Sequence, residues 1–389
     1  MANPSPWKRL IGLGASATPS VLAVGASLLI CFLAIALTKN DLAVAVEAYA
    51  KMFWGGIGDW PAWVEGAPFT ALSRPWGEAA TKGGILLLTG LSVSVAFAVG
   101  LFNIGAQGQM LVGALAAAVV GAALELPALL HLPLCLLAAG VAGGLYAWLP
   151  AYLKLGRGVH EVISTIMLNW VAVSLVENWL VVGPLRAEAE GSHSRSGTEE
   201  ILATAQLPRL LGEASRLHLG LVIALLAALG VWLWLTRTRF GFETRAVGLG
   251  PDAARASGIP VQRRTYQAMV LAGALAGLAG ALLVLGTEYK FPATLGAPYG
   301  FDGIAISLIG LNHPLGVTLS ALLFGVLRAG GTHMQLLGVH KSFPELIQGL
   351  ALLFIAGRVA WEAYRMRRRK ITPLPPPGEA TGEAPAVGV

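Results

Sequence analysis

Residues 83–124 read GGILLLTGLSVSVAFAVGLFNIGAQGQMLVGALAAAVVGAAL, and this stretch contains no charged side chain. A membrane-spanning helix needs about 20 apolar residues, so the stretch is too long for one span and long enough for two. Polar and glycine residues interrupt its middle at Asn103, Gly105, Gln107, Gly108 and Gln109. The stretch therefore predicts two spanning helices that meet at a polar, glycine-rich break.

Uncharged blocks of spanning length also lie on both sides of this stretch. Of the 389 residues, 55% are apolar and only 12% are charged, whereas a soluble chain carries about 25% charged residues. Such a chain cannot cover a water-facing surface. We predict an all-α integral membrane protein with about ten transmembrane helices, in the blocks 10–38, 83–124, 126–153, 161–185, 217–236, 265–287, 303–327 and 343–364.

The basic residues predict the orientation of these helices. The loop 237–265 carries six arginines against Glu243 and Asp252, and it is therefore assigned to the cytoplasm. The same rule makes segment 1–17 and the tail 365–389 cytoplasmic, with disorder expected in the tail, and the loop 186–216 extracytoplasmic. The transmembrane domain is then 18–364. We favour an uncleaved first span over a cleaved signal peptide, because block 10–38 is longer than a typical signal-peptide core.

Three local patterns add detail to these helices. The segment 40–82 mixes tryptophans with scattered charges, which predicts a segment lying in the outer interface. Gly273 and Gly277 have the small-xxx-small spacing that lets helices approach closely. Asn312, His313 and Pro314 break block 303–327, so a short inward segment, a turn and a return span are expected, with Asn312 and His313 as a cap and turn.

Several kinds of chemistry find no support in the sequence. There is no Gly-Lys dipeptide, so the chain has no P-loop and any ATPase is another protein. Gly248, Gly250 and Ala253 imitate a dinucleotide fingerprint, but no strand precedes them. Both cysteines lie in apolar blocks, so no metal site and no cofactor is predicted. The net charge of +6 sits at span ends, which favours membrane lipid over nucleic acid.

The basic loop contains a short helix with its own start and stop signals. Gly250 precedes Pro251 at the first helical position, Asp252 suits the positive end of the helix dipole, and Gly258 ends the helix. This helix is either a solvated linker or a docking element for a cytoplasmic partner. A docking element on a chain without its own ATPase points to the permease half of an ATP-driven pump.

Four motifs then resemble a known family. They are FNIGAQGQMLVG at 102–113, GVHEVISTIMLNW at 158–170, RAVGLGPDAARASGIPV at 245–261 and GIAISLIGLNHPLG at 303–316. They resemble ABC permeases of the nucleoside, simple-sugar and branched-chain amino-acid group, and within it the permeases of bacterial nucleoside importers. Gln107 and His160 depart from the pattern, where Glu and Asn are expected.

The resemblance implies a fold and a set of partners. It implies a vitamin-B12-importer-like (type II) permease in the bacterial cytoplasmic (inner) membrane with both termini cytoplasmic. The partners would be an ABC ATPase, possibly with tandem nucleotide-binding halves, a second related permease forming a heterodimer, and an extracytoplasmic substrate-binding lipoprotein. The implied ATPase-coupling residues are Arg245, Gly248, Pro251, Asp252, Ala254, Arg255 and Gly258.

The candidate substrate path consists of polar and aromatic residues inside the spans. Asn169, Trp170 and Glu177 offer groups suited to ribose hydroxyls and a base. An equal alternative is that Asn169 forms hydrogen bonds between helices and Glu177 reaches the outer interface. Asn103, Gln107 and Gln109 either satisfy freed backbone or touch substrate, with packing favoured. No catalytic residue is assigned.

Three functions remain in competition. The first is import of nucleosides, with a simple sugar such as ribose as the nearest alternative. The second is stand-alone secondary transport, which needs more intramembrane carboxylates than Glu177 alone. The third, an intramembrane enzyme, needs clustered His, Asp or Glu at membrane depth, and the sequence shows none.

Overall fold

The structure is a computed structural model that describes residues 6–187, 197–296, 298–340 and 342–369, with side chains from residue 18 onward except at 359, 362, 363 and 366–369. The predicted all-α class is confirmed, since these residues form helices and no strand. The predicted cytoplasmic segment 1–17, the loop 186–216 and the tail 365–389 fall partly outside the described residues. The helices are α1 Pro6–Lys39, α2 Leu42–Ile57, α3 Trp60–Val64, α4 Thr70–Ala98, α5 Ala106–Ala123, α6 Ala128–Arg157, α7 Glu161–Leu175, α8 Gly220–Arg237, α9 Arg239–Leu249, α10 Pro251–Ala256, α11 Val261–Leu283, α12 Tyr299–Ile309, α13 Pro314–Met334 and α14 Phe343–Arg369.

Eight described helices are long and apolar enough to cross a membrane. They begin at Thr18, Thr70, Ala106, Ala128, Glu161, Gly220, Val261 and Pro314. Two of them continue through π-helical turns, Val176–Leu180 after α7 and Val284–Glu288 after α11. With α12 and α14 there are helices in all the predicted blocks.

One of the ten predicted crossings is not a full span. Helix α12 has 11 residues and so rises about 16 Å, against a hydrocarbon core of about 30 Å. The preceding residues 289–296 and Pro298 are irregular, with Tyr289 and Gly296 in left-handed conformations. The break at Asn312 is confirmed, because Leu311 and Asn312 are both left-handed and Pro314 starts α13.

Segment 40–82 is predicted to lie in the outer interface, and its position relative to the membrane stays a prediction. It is largely helical, and α2 folds back along α1, with the Tyr49 hydroxyl donating to the Leu28 carbonyl at 2.6 Å. Helix α2 also packs on α13 so closely that a Cβ on Gly330 would lie 1.7 Å from the Met52 carbonyl oxygen. Small residues on both helices bring α2 against α13, while Trp60 and Trp63 of the same segment stay exposed.

The fourth helix begins earlier than the uncharged stretch. It starts at Thr70 rather than near residue 83, because the charges of Glu78 and Lys82 are paired within the fold. Glu78 lies 3.7 Å from Lys82 and 3.0 Å from Arg216. Charges that would end a lipid-facing helix are tolerated where they face protein.

Helices α4, α5 and α11 form the centre of the bundle, and close glycine contacts hold it. A Cβ on Gly273 would lie 2.3 Å from the Gly143 carbonyl oxygen, and one on Gly277 would lie 2.2 Å from that of Ala139. The predicted close approach through Gly273 and Gly277 is therefore confirmed, with α6 as the neighbour. The predicted two spans of 83–124 are α4 and α5, and residues 99–105 form the break between them.

Candidate functional site

The loop between α8 and α11 folds into two short helices, α9 and α10. The Thr238 hydroxyl caps α9 by accepting from the Gly241 N–H at 3.0 Å. Pro251 occupies the first turn of α10, and α10 ends at Ala256. Gly258 then takes φ +78°, a left-handed conformation that favours glycine. The predicted helix at Pro251, stopped by Gly258, is confirmed.

The residues predicted to contact an ATPase divide into two groups in this α9–α10 element. Five are exposed, and two are packed against the rest of the chain. Ala254 is buried, and a Cβ on Gly248 would lie 2.4 Å from the Ala98 carbonyl oxygen. Gly248 and Ala254 thus attach the element to the helix bundle, while the free surface consists of Arg245, Pro251, Asp252, Arg255 and Gly258.

A buried carboxylate fixes the element to the spanning helix α11. Glu243 accepts from Arg239 Nε at 2.7 Å and from Arg264 Nε at 2.6 Å. These two hydrogen bonds hold the pKa of Glu243 below its usual range. The Arg264 guanidinium also lies over the Phe240 ring, 4.5 Å from its centre. Residues 239–249 and α11 are therefore joined by one charged, fully partnered contact.

From the sequence, Glu243 and Arg264 were identified only as charged residues of the loop 237–265, with no contact predicted between them. They are 21 positions apart, so no helical periodicity links them. The available signal was that Glu243 is one of only two acids in a strongly basic loop. An acid in such a place favours a bridge between arginines.

The break between α4 and α5 holds three buried amides with hydrogen bonds to one another or to the backbone of the break, which we call the amide cluster: Asn103, Gln109 and Asn169. Asn103 and Gln109 exchange two side-chain hydrogen bonds at 2.8 and 2.9 Å. Asn169 accepts from the Gly108 N–H and donates to the Ile104 carbonyl, both at 2.8 Å. These bonds satisfy backbone groups that the break frees, which supports the packing interpretation of Asn103 and Asn169.

The other predicted path residues have partners outside the amide cluster. Gln107 accepts from the Gly300 N–H at 2.8 Å and so ties α5 to the start of α12. Trp170 is 66% exposed, on a different side of α7 from the buried Asn169. Glu177 accepts from the Leu295 N–H at 2.9 Å and holds the chain that leads into α12. The structure therefore brings Asn103 and Asn169 to one break, and places Trp170 and Glu177 away from it.

A second buried polar group went unnoticed in the sequence, and we call it the Asp302 cluster: Tyr299, Asp302, Arg328 and Gln348. Asp302 Oδ2 and Arg328 Nη2 are 2.7 Å apart. Gln348 Nε2 donates to Asp302 Oδ1 at 3.2 Å, and the Arg328 guanidinium lies 5.4 Å from the centre of the Tyr299 ring. Asp302 and Arg328 lie just outside the uncharged block 303–327, so in the sequence they resemble charged residues at the ends of a span. The fold-back at Asn312 brings them together.

The chain also resembles known proteins. The family described as branched-chain amino acid transport system / permease component matches residues 77–356. The guanosine ABC transporter permease protein NupP of Bacillus subtilis is 41% identical over 70% of this chain and 78% of its own length. The glucose ABC transporter permease protein TsgB13 of Haloferax volcanii is 37% identical, over 72% of this chain and 76% of that protein.

A third relative extends this pattern. The nucleoside ABC transporter permease protein NupB of Lactococcus lactis is 34% identical over 77% of this chain and 84% of its own. No solved structure matches the chain at a significant level. Because the family match covers well over half of the residues, and the relatives align over most of both chains, this multi-pass membrane protein belongs to the family of ABC transporter permease components described as branched-chain amino acid transport system / permease component.

Proposed function

We propose that the chain is the transmembrane permease subunit of an ATP-driven importer of nucleosides. The observation that carries this proposal is the α9–α10 element, which exposes one surface and is fixed to the bundle by Glu243–Arg264 and by the Gly248–Ala98 contact. A permease without its own ATPase needs such an element to receive motion. The names of two relatives, which specify guanosine and nucleosides, support the substrate class.

The contacts suggest how a push on α10 would reach the membrane domain. Gly248 touches the backbone of Ala98 and Gly100, where α4 ends. Asn103 of the amide cluster follows three residues later, and its bonds reach α5 through Gln109. A second route runs through Glu243 and Arg264 into α11. The element therefore acts on both central helices beside the α4–α5 break.

We propose three protein partners for this subunit. An ABC ATPase, possibly with tandem nucleotide-binding halves, would dock on Arg245, Pro251, Asp252, Arg255 and Gly258. A second, related permease would complete the translocation path, and an extracytoplasmic lipoprotein would deliver substrate. The basic residues of 237–265 support a cytoplasmic position for the element, with both termini inside a bacterial cytoplasmic membrane.

The coupling assignment is tested by uptake and ATP hydrolysis in proteoliposomes that contain the whole complex. We expect Arg255→Glu and Gly258→Val to insert normally and to lower uptake per ATP hydrolysed by about tenfold, which corresponds to about 1.4 kcal/mol of lost coupling. The first reverses a charge on the exposed surface, and the second strains a left-handed position. Arg157→Glu, an exposed arginine at the end of α6, is the matched control.

The substrate and the energy source are tested in separate uptake experiments. Labelled guanosine, ribose and glucose are compared in the same vesicles, because one relative is named for glucose. Uptake of guanosine only with the ATPase and ATP supports the proposal. Uptake without any ATPase would favour a secondary transporter, and wild-type coupling in both α10 variants would refute the docking surface.

A further inference from the structure

The Asp302 cluster holds an unusual concentration of unpartnered polar atoms. Eight buried side-chain nitrogen and oxygen atoms of the described residues lack a hydrogen-bond partner. Four of them belong to this cluster: Asp302 Oδ2, Arg328 Nε, Arg328 Nη2 and Gln348 Oε1. Buried polar groups in native proteins are nearly always bonded, so such a concentration marks a candidate binding site.

The ion pair itself does not use all the hydrogen-bonding capacity of these atoms. Arg328 Nη2 lies 2.7 Å from Asp302 Oδ2, while Arg328 Nε and Gln348 Oε1 have no hydrogen-bond partner among the described residues. The guanidinium is held over the ring of Tyr299. The result is a site with two donors on Arg328 and two acceptors on Asp302 and Gln348, and with no net charge from the pair.

The cluster sits well inside the candidate span that begins at Pro314. Arg328 lies 14 residues into that span, so it is about 21 Å from its start. Close backbone contacts fix α12 here, since a Cβ on Gly303 would lie 2.7 Å from the carbonyl oxygen of Thr89. Charged groups at such positions mark substrate pathways more often than simple packing.

A series of charged side chains leads to the cluster from the loop before α8. Arg216 pairs with Glu78, Glu78 with Lys82, and the Lys82 ammonium donates to the Arg328 carbonyl at 3.3 Å. Side-chain exposure falls along the series from 60% to 34% to 22%, and then to 6% at Arg328. A series of polar contacts therefore runs from the predicted extracytoplasmic side to the backbone of Arg328, beside the Asp302 cluster.

We propose that the Asp302 cluster is a substrate-contact site that binds the adjacent hydroxyl groups of the transported ribonucleoside. This inference rests on the nucleoside function proposed above. A vicinal diol offers two oxygens that accept from Arg328 and two O–H groups that donate to Asp302 and Gln348. The neutral pair favours an uncharged polar ligand over an ion, and charge-assisted bonds give the contact its strength.

The test compares guanosine with 2′,3′-dideoxyguanosine, which lacks both hydroxyls, as uptake substrates of the reconstituted complex. We expect wild type to prefer guanosine, and Gln348→Leu to reduce that preference by about tenfold through a higher KM for guanosine alone. The wild-type and variant complexes use the same binding lipoprotein, so a change in substrate preference arises in the permease. Ser320→Ala, another unpartnered buried group on α13, is the matched control and should keep the preference.

Each other outcome also decides the proposal. An unchanged preference in Gln348→Leu would mean that the cluster holds structural water only, and would overturn the inference. If Gln348→Leu fails to assemble, Arg328→Lys keeps the cation while removing the guanidinium fork, and the same loss of preference is expected. If wild type takes up ribose but no guanosine, the nucleoside function fails instead, and the same variants then compare ribose with 2-deoxyribose.

Discussion

The two polar clusters inside the membrane domain differ in how far the protein itself satisfies them. In the amide cluster, Asn103, Gln109 and Asn169 each bond through both their oxygen and their nitrogen. In the Asp302 cluster, four buried atoms of three residues have no hydrogen-bond partner within the described part of the chain, although two of them form an ion pair. Both clusters lie among the helices of the membrane domain, so position alone does not distinguish them. The satisfied cluster holds the fold, and the unsatisfied one is available to a ligand.

The largest expected effect comes from removing an amide of the satisfied cluster. Asn169→Leu leaves the Gly108 N–H and the Ile104 carbonyl without their partner, which costs about 1–3 kcal/mol for each group. We expect a clear loss of folded protein and a lower Tm in detergent. Uptake should fall in proportion to the folded amount, with KM unchanged.

Asn169→Asp is the matched variant for that experiment. It keeps the oxygen that accepts from Gly108 and loses the donor to Ile104, so its Tm should lie between those of wild type and Asn169→Leu. A normal Tm in Asn169→Leu, together with a raised KM, would reverse the comparison and return Asn169 to the substrate path.

The same contrast explains what the sequence could reveal. Uncharged blocks and local start and stop signals predicted the helices, the breaks near Gln107 and Asn312, and the α10 helix at Pro251. Each of these features depends on residues that are neighbours in the sequence. The burial of α2 against α13 depends on which small surfaces meet, and no local pattern encodes that pairing. The sequence therefore did not predict that α2 packs on α13.

The candidate site shows the same limit. The amides at the α4–α5 break were identified as polar residues in an apolar stretch, and their packing role followed from the cost of freed backbone. Asp302 and Arg328 pair across 26 positions and a chain reversal. Each alone resembles the end of a span, so only the three-dimensional structure shows that they share one buried site.

A second, smaller effect tests whether the two clusters differ in role because of their hydrogen bonding or because of their charge. Glu243 is charged like Asp302, yet both of its oxygens are bonded, to Arg239 and Arg264. Its folded-state pKa is lowered by those bonds, so it stabilises the fold above the unfolded pKa of about 4.3 and loses this contribution as pH falls through the folded pKa. Replacing Glu243 should therefore change stability and not substrate preference, as expected for Asn169.

Thermal unfolding of wild type and Glu243→Gln between pH 7 and pH 3 provides the measurement. We expect Glu243→Gln to have the lower Tm at pH 7 and the two curves to converge as the wild-type carboxylate is protonated. The preference for guanosine over its dideoxy analogue should stay at the wild-type value. A Tm difference that persists unchanged at pH 3 would show that the Glu243 charge does not contribute, and that the bridge to α11 is held by packing.

The smallest expected effect is on the stability of the unsatisfied cluster. Gln348 donates to Asp302 through two long bonds of 3.2 and 3.3 Å, and its oxygen already lacks a partner. Gln348→Leu removes those weak bonds and one unsatisfied atom together, so the free energy of unfolding should stay within about 1 kcal/mol of wild type. Denaturation of the purified protein without substrate measures this directly. A loss as large as that of Asn169→Leu would mean that Gln348 holds the fold, and the two clusters would then differ in chemistry but not in role.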